Sequence, residues 1–193
     1  MDVRQRLFQY RSYTPIPFLL LMIWFAHPTS ASLVLGFLII FSGETMRLWG
    51  VAIAGSETRT TGPVGGTFLI TTGPFSYVRN PLYVGNMLIY FGVGVMSNAL
   101  FPWLALGALL YFLFQYSLIV SLEEEYLMKT FGAAFARYRE VVPRFVPTFT
   151  RYAVGTNTQP ELNWSRGLVS ERRTLQAIGI LSVVLLLFYW LRG

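Results

Sequence analysis

Cysteine is absent from the 193-residue chain, and histidine occurs only once, as His27. Without a thiol, the chain forms no disulfide, carries no palmitoyl thioester and offers no thiolate nucleophile. Zinc and iron sites normally use several histidine or cysteine ligands, so no metal site is expected. The chemistry of this protein is therefore expected to rely on neither a bound metal nor a cysteine.

Charged residues are scarce as well, at 12% of the chain, whereas 54% of the residues are hydrophobic and the mean hydropathy is +0.51. Soluble domains carry about 25% charged residues. This balance predicts an all-α integral membrane protein, with residues 1–193 forming a single transmembrane domain. Because a span needs roughly 20 residues, the first of the five predicted spans is marginal. The predicted spans are at about 13–27, 31–54, 82–96, 99–122 and 174–191.

The orientation follows from the basic residues. Of the 15 lysines and arginines, all but Arg47 and Arg192 lie before span one, between spans two and three, or between spans four and five. The positive-inside rule then predicts a cytoplasmic N-terminus and an outer C-terminus, in a bacterial inner membrane. The net charge of +6 is explained in this way, and no nucleic-acid partner is needed. The start of the chain also resembles a signal peptide, but no polar segment follows, which favours an anchoring first helix.

Several local patterns predict the connections and contacts of the helices. Residues 55–79 are expected to form a cytoplasmic loop with an extended stretch at 67–71, and residues 148–173 a surface connection. Past residue 122 the fourth helix should continue to 130 and break at Gly132, and a short helix at 133–141 should follow. Small residues let helices approach closely in lipid. This predicts packing glycines at positions 36, 43, 50, 92, 94 and 107.

Two polar clusters should meet at one membrane face. Asn80 and Pro81 suit the N-cap and first position of span three, whereas the chain's only acidic run, at 123–125, closes span four. Only residues 97 and 98 join these spans, so they must be antiparallel. A helix start suits a carboxylate, and glutamates accept hydrogen bonds from hydroxyl or amino groups. The pair could hold a small molecule of both charge signs, although a capped helix and a solvated acidic collar remain open alternatives.

Span two contains two charged residues, Glu44 and Arg47, three positions apart on one helix face. Each charge near a span centre costs about 2.5–3.5 kcal/mol, so such residues are functional candidates. We predict that they orient the substrate. The alternatives are an interhelical clamp, or an Arg47 side chain that reaches the cytoplasmic surface.

Two stretches of the chain resemble the signature of the isoprenylcysteine carboxyl methyltransferase family, to which the phospholipid N-methyltransferases are related. The first is TGPFSYVRNPLYVG at 72–85. The second is EEEYL at 123–127, followed by Phe131-Gly132, Phe135, Tyr138 and VPRFVP at 142–147. The resemblance covers about residues 67–147.

The resemblance implies an S-adenosylmethionine-dependent methyltransferase with a cytoplasmic cofactor site and a lipophilic, isoprenoid or lipid-like acceptor that enters from the bilayer. Phe75, Tyr77 and Tyr83 could shield the adenine and the sulfonium. The residues expected to contact the cofactor are Thr67, Phe68, Leu69, Ile70, Phe75, Asn80, Pro81, Leu82, Tyr83, Glu123 and Glu124.

The chain departs from the family at two positions. Asn80 stands where the family usually has histidine, and an amide does not titrate, so no proton transfer is assigned there. Ile119 stands where the prenylcysteine enzymes carry an arginine that meets the substrate carboxylate. A prenylcysteine acceptor would therefore need Arg47 as a substitute.

Two other functions stay open from the sequence. One is a sterol-reductase-like membrane enzyme, whose NADPH would need a cluster of basic residues. The other is a non-enzymatic lipid-binding protein or small transporter, which would leave the carboxylates without a ligand.

Overall fold

The computed structural model describes residues 2–55, 68–153 and 159–192, and these ranges contain seven α-helices. A 3₁₀ turn, Gly73–Ser76, precedes the fourth helix. No strand occurs in the described ranges, so the predicted all-helical class is confirmed. The helices are α1 Val3–Tyr10, α2 Ile16–Trp24, α3 Ser30–Ala54, α4 Pro81–Ser97, α5 Trp103–Phe131, α6 Ala133–Val141 and α7 Trp164–Arg192.

Three of these helices are long and apolar enough to cross a membrane. They are α3, α5 and the Trp164–Leu191 part of α7, whereas α4 is apolar but has only 17 residues. A span of the hydrocarbon core needs about 20 residues. The length and composition of these helices are consistent with an integral membrane protein, and the predicted count of five spans is not confirmed.

The predicted span at 13–27 contains a much shorter helix. Helix α2 has nine residues, which rise roughly 14 Å, about half the thickness of the hydrocarbon core. Pro15 is its N-cap, and Pro17 lies in its first turn. Neither proline has a backbone N–H to continue a ladder of helical hydrogen bonds. Residues 11–15 form turns instead of extending the helix.

The chain divides into two compact units. We call Met1–Gln9, Met46–Val84 and Tyr116–Glu171 the motif unit, because they contain all residues of both sequence motifs except Gly85. Tyr10–Thr45, Gly85–Gln115 and Arg172–Gly193 form the apolar unit. We describe each unit by itself.

Close helix contacts define the apolar unit. A Cβ atom on Gly94 would lie 2.8 Å from the Cβ of Ala105, and the rings of Tyr90 and Phe112 are 4.5 Å apart. These pairs confirm the predicted antiparallel hairpin of α4 and α5. The predicted two-residue connection was wrong, since residues 98–102 form turns and α5 begins at Trp103 rather than at 99. Close contacts also confirm the predicted packing glycines at 36, 43, 92 and 94 in this unit and at 50 in the motif unit. The prediction for Gly107 was wrong, since a Cβ there would meet nothing within 4 Å.

The motif unit confirms two predicted boundaries and corrects a third. Helix α5 ends at Phe131 before Gly132, whose φ is 50°, and α6 spans Ala133–Val141. The predicted surface connection at 148–173 is partly helical, because α7 already begins at Trp164. Asn163 provides the cap: its Oδ1 accepts a hydrogen bond from the Arg166 N–H at 2.9 Å.

Candidate functional site

The start of α4 is fixed by Asn80, although not in the predicted way. The Asn80 carbonyl accepts the first helical hydrogen bond, from the Val84 N–H at 3.1 Å. Its side chain, however, donates from Nδ2 to the carbonyl of Arg144 at 3.1 Å. Among the described residues, no N–H donates to its Oδ1. Asn80 is thus the N-cap by position, and its amide ties the helix start to the chain beyond α6.

The chain beyond α6 runs beside the first motif. We call residues 143–152 the strap. The strap and residues 76–79 are joined by three backbone hydrogen bonds: Arg79 N–H to Pro143 C=O (2.9 Å), Thr148 N–H to Tyr77 C=O (2.9 Å) and Tyr152 N–H to Ser76 C=O (3.0 Å). This pairing explains why the two halves of the family signature occur together: they fold against each other.

Tyr83 and Glu123 bring the helix start and the acidic run into direct contact. The Tyr83 hydroxyl donates to Glu123 Oε1 at 2.7 Å. The ring of Tyr83 also lies 4.6 Å from the ring of Tyr116, which is 2% exposed. The helix start and the acidic run therefore meet in the motif unit, as predicted.

Glu124 has a different environment, between two arginines. Arg79 donates to its Oε1 from Nε (3.1 Å) and Nη2 (2.9 Å). Arg144 donates from Nε to Oε1 (3.2 Å) and from Nη2 to Oε2 (2.5 Å). The Arg79 guanidinium also donates to the carbonyls of Arg139 and Val142. Both oxygens of the Glu124 carboxylate are engaged by the protein itself.

Glu125, the last residue of the acidic run, faces the N-terminal helix α1. Its carboxylate accepts hydrogen bonds from Arg4, which also binds Asp2 at 2.8 Å. The hydrogen bonds from Arg4 lower the pKa of Asp2, and those to Glu125 and Asp2 raise the pKa of Arg4. The side chain of Glu125 is 51% exposed, so this pair lies at the surface.

The stretch before the 3₁₀ turn, predicted to be extended, is held by Gln159, a residue that was not among the predicted site residues. Gln159 Nε2 donates to the Leu69 carbonyl at 3.0 Å, and its Oε1 accepts from the Thr71 N–H at 2.9 Å. The Leu69 side chain packs in a buried cluster with Phe135, Tyr138 and Val142. Of the other predicted contacts here, Phe68 is exposed and Ile70 half-buried, and Thr67 lies outside the described residues.

The 3₁₀ turn that carries Phe75 is held by a hydrogen bond from helix α6. The Phe75 carbonyl accepts a hydrogen bond from the Tyr138 hydroxyl at 2.6 Å. Burial raises the pKa of Tyr138. Gly73 begins the turn with a φ of 59°, and a Cβ there would lie 2.0 Å from Ile53 Cδ1. Glycine suits this position because it adopts the left-handed backbone without steric cost, whereas an added Cβ would also require the end of the Ile53 side chain to move.

Pro81 and Leu82, the first two residues of α4, were also predicted to contact the cofactor. Pro81 is fully buried, and Leu82 packs near Gly50. Pro81 has no backbone N–H, so Leu82 supplies the first N–H of the helix. The helix start therefore presents its donors from residue 82 onward.

Arg47, one of the two charged residues of α3, has a charged partner on α7. Arg47 Nη2 donates to Glu171 Oε2 at 2.7 Å, and the Glu171 side chain is completely buried. This partner was not predicted, because residue 171 was expected to lie in a surface connection. Glu44, in the apolar unit, is 7% exposed.

The motif unit thus combines a helix start, a carboxylate and aromatic rings. Such a set suits a ligand that carries a carboxylate, a cation and hydroxyl groups, because each of these has a complementary neighbour. In the described ranges, no three histidine, aspartate or glutamate side chains are grouped closely enough to hold a metal ion.

The comparisons with known proteins agree with this architecture. The family model for phospholipid methyltransferase matches residues 31–134, which include all of α4 and α5 and all of α3 except its first residue. A protein-S-isoprenylcysteine O-methyltransferase of Schizosaccharomyces pombe is 33% identical over 79 residues, which cover 41% of this chain and 33% of the relative. No solved structure matches the chain significantly.

Two bacterial relatives match longer stretches. The cobalt-zinc-cadmium resistance protein CzcN of Cupriavidus metallidurans is 31% identical over 144 residues, 74% of this chain and 59% of the relative. The nickel-cobalt-cadmium resistance protein NccN of Alcaligenes xylosoxydans xylosoxydans is 30% identical over 125 residues, 64% of this chain and 54% of the relative. The chain thus spans between half and three fifths of the length of these two relatives. With more than half of its residues matched by the family model, the chain belongs to the phospholipid methyltransferase family.

Proposed function

We propose that this protein transfers a methyl group from S-adenosylmethionine to a lipophilic acceptor at the cytoplasmic side of the membrane. The observation that carries the proposal is the 2.7 Å hydrogen bond between Tyr83 and Glu123. It joins the helix start of the first family motif to the acidic run of the second. A carboxylate, aromatic rings and helix N–H groups are thereby gathered at one place.

The groups of the site fit the chemical parts of this cofactor. The N–H of Leu82, at the positive end of α4, suits the carboxylate of the amino-acid part. Glu123 can accept hydrogen bonds from an ammonium group or from ribose hydroxyls. The faces of Tyr83 and Tyr116 can attract a sulfonium through cation–π interaction. These fits support the cofactor contacts that we propose for residues 80–83 and 123.

The remaining proposed contacts lie in the extended stretch and in the 3₁₀ turn. Thr67, Phe68, Leu69, Ile70 and Phe75 would border the nucleoside. For Glu124 we propose a supporting role, because its two oxygens already bind Arg79 and Arg144. It would hold the strap against the helix start rather than contact the cofactor.

The proposed reaction needs little acid–base catalysis by the protein. When bound, S-adenosylmethionine supplies a methyl group that is already activated for direct displacement. The residues of the chain then have to orient the reactants and exclude water. Asn80 and buried Ile119 do not titrate, so we assign no general base. An amine or carboxylate acceptor, which needs no strong base, is consistent with such a site.

The acceptor is proposed to be lipid-like, because the chain is an integral membrane protein and one relative is named for an isoprenylcysteine substrate. Glu44 and Arg47 remain our proposal for orienting this acceptor. The ion pair with Glu171 favours a clamp role for Arg47. We also propose five spans in a bacterial inner membrane, with the basic residues and the methyl-donor site on the cytoplasmic side.

The proposal is tested by calorimetric titration of the detergent-solubilised chain with S-adenosylhomocysteine and, separately, with NADPH. We expect the first compound to bind and the second not to bind. A hydrogen bond to a charged group contributes about 1.5–3 kcal/mol. Glu123→Gln and Tyr83→Phe should therefore weaken binding by roughly ten- to a hundredfold.

Glu125→Gln is the matched control, since it changes the neighbouring glutamate of the same run, whose partner is Arg4. It should leave the affinity unchanged. Binding of NADPH without binding of S-adenosylhomocysteine would refute the proposed cofactor. Equal affinities in all three variants would show that the acidic run is not part of the site.

A further inference from the structure

One side chain supplies hydrogen bonds to the extended stretch in place of a neighbouring strand. The carboxamide of Gln159 donates to the carbonyl of Leu69 and accepts from the N–H of Thr71. It also lies 3.5 Å from the hydroxyl of Thr72, a residue with extended φ and ψ of −102° and 169°. A carbonyl at one position and an N–H two positions later lie on the same edge of an extended chain.

This arrangement determines where the intervening peptide groups point. In an extended chain the peptide groups of successive residues point to alternate edges, so we infer that the N–H and carbonyl of Ile70 face away from Gln159. Within the part of the chain that the structure describes, neither group of Ile70 makes a hydrogen bond. Ile70 as a whole is half-buried. A donor and an acceptor are thus displayed side by side next to the 3₁₀ turn.

A neighbouring donor and acceptor are what an adenine edge requires, because adenine offers an amino donor beside ring-nitrogen acceptors. We propose that Gln159 is a positioning residue for base recognition: it holds Leu69 and Thr71 so that the peptide groups of Ile70 read the adenine of the cofactor. This inference rests on the adenosyl cofactor of the proposed function. It adds a residue that lies beyond the segment matched by the family model.

The anchoring of Gln159 supports a positioning role rather than a contact role. Both polar atoms of its carboxamide are already used by the backbone of the extended stretch. The side chain of Leu69 is buried in the cluster around Phe135, which fixes the same stretch from the other side of the chain. Gln159 holds the peptide groups of Leu69 and Thr71, and the Leu69 side chain is buried. The N–H and carbonyl of Ile70, between them, therefore keep a constant position.

The test compares the affinities of S-adenosylhomocysteine and S-inosylhomocysteine, measured by calorimetry on the full-length solubilised chain. Inosine has an oxygen acceptor and a ring N–H donor where adenine has the reverse, so a fixed peptide pair distinguishes them. One mismatched hydrogen-bonding edge should give the wild type a preference of about tenfold or more for the adenosyl compound. In Gln159→Leu, this preference should fall to nearly one.

Gln159→Glu is the second variant, because it keeps an acceptor for Thr71 and loses only the donor to Leu69. We expect it also to reduce the preference. The matched control is Gln176→Leu, the same substitution at an exposed position of α7, which should keep the wild-type preference. Melting temperatures of all variants identify any that fail to fold, and the Gln159→Glu result then carries the test.

Each outcome separates the two proposals. A wild-type chain that binds neither compound would overturn the adenosyl cofactor itself. If the wild type binds and discriminates, an unchanged preference in both Gln159 variants would overturn only the positioning role. An equal loss of affinity for both compounds, with the preference kept, would likewise show that Gln159 acts on stability alone.

Discussion

Replacing Glu124 by glutamine should destabilise the motif unit far more than the same change at its neighbour Glu125. The Glu124 side chain is 8% exposed and that of Arg79 is 10% exposed. Removing one partner of a buried ion pair costs about 3–5 kcal/mol, because the other charge stays buried. Glutamine keeps one oxygen as an acceptor, so we expect the lower part of this range, about 3 kcal/mol, from the contact with Arg79.

The second contact contributes less. The Arg144 side chain is 37% exposed, and solvent screening reduces such a pair to about 0–1 kcal/mol. The total of about 3–4 kcal/mol corresponds to a fall of roughly 6–16 °C in melting temperature for a chain of this size. The assay is thermal unfolding in detergent, followed by tryptophan fluorescence.

Glu125→Gln is the control, because its side chain is 51% exposed and its partner Arg4 lies at the surface. It should leave the melting temperature unchanged. A double-mutant cycle with Arg79→Gln should then show that most of the Glu124 effect depends on Arg79. Glu124→Gln could instead keep the wild-type melting temperature and lose binding of S-adenosylhomocysteine. In that case the structural role of Glu124 is wrong, and Glu124 is a cofactor ligand.

Three further changes test other parts of the motif unit. Gly73→Ala should cost about 1–2 kcal/mol for the left-handed backbone alone, whereas Gly107→Ala, which meets nothing within 4 Å, should cost nothing in the same thermal assay. Burial raises the pKa of Tyr138 above its ordinary value of 10.0, so its contribution to stability is complete below pH 10 and is lost as the pH rises through the folded-state pKa. Denaturant titrations between pH 8 and 11 should show that Tyr138→Phe removes this alkaline loss; an unchanged pH profile would contradict it. Arg47→Met should lower the melting temperature and Arg47→Met with Glu171→Met should restore it, since an apolar pair can replace a buried ion pair; retained methylation in the double variant would exclude a role for Arg47 in orienting the acceptor.

Much of this fold could be predicted from local signals. Three of the predicted features are the helix end before Gly132, the short helix that follows and the hairpin between α4 and α5. They depend on glycine, proline and loop length. Such features act within a few residues, so a single sequence contains them. The predicted meeting of Tyr83 with the acidic run followed from the hairpin alone, because two antiparallel helices bring their distal ends together.

The unpredicted features depend on contacts between distant residues. Gln159 binds a stretch 90 positions earlier, and Arg144 binds Glu124 through a strap with no regular secondary structure. The early start of α7 had a local signal, the capping Asn163, but the polar residues after it resembled a loop. Because Glu171 was assigned to that loop, the partner of Arg47 was missed as well. An error in one helix boundary thus removed an ion pair from the prediction.

Helix geometry explains why the three consecutive glutamates have three different environments. Successive residues of an α-helix point about 100° apart, so at most one or two of the three can face a single site. On α5, Glu123 binds Tyr83, Glu124 lies between two arginines and Glu125 binds Arg4. The first direction leads to the proposed site, the second to the strap and the third to helix α1. The acidic run is therefore better understood as one candidate ligand and two structural anchors than as a single charged patch.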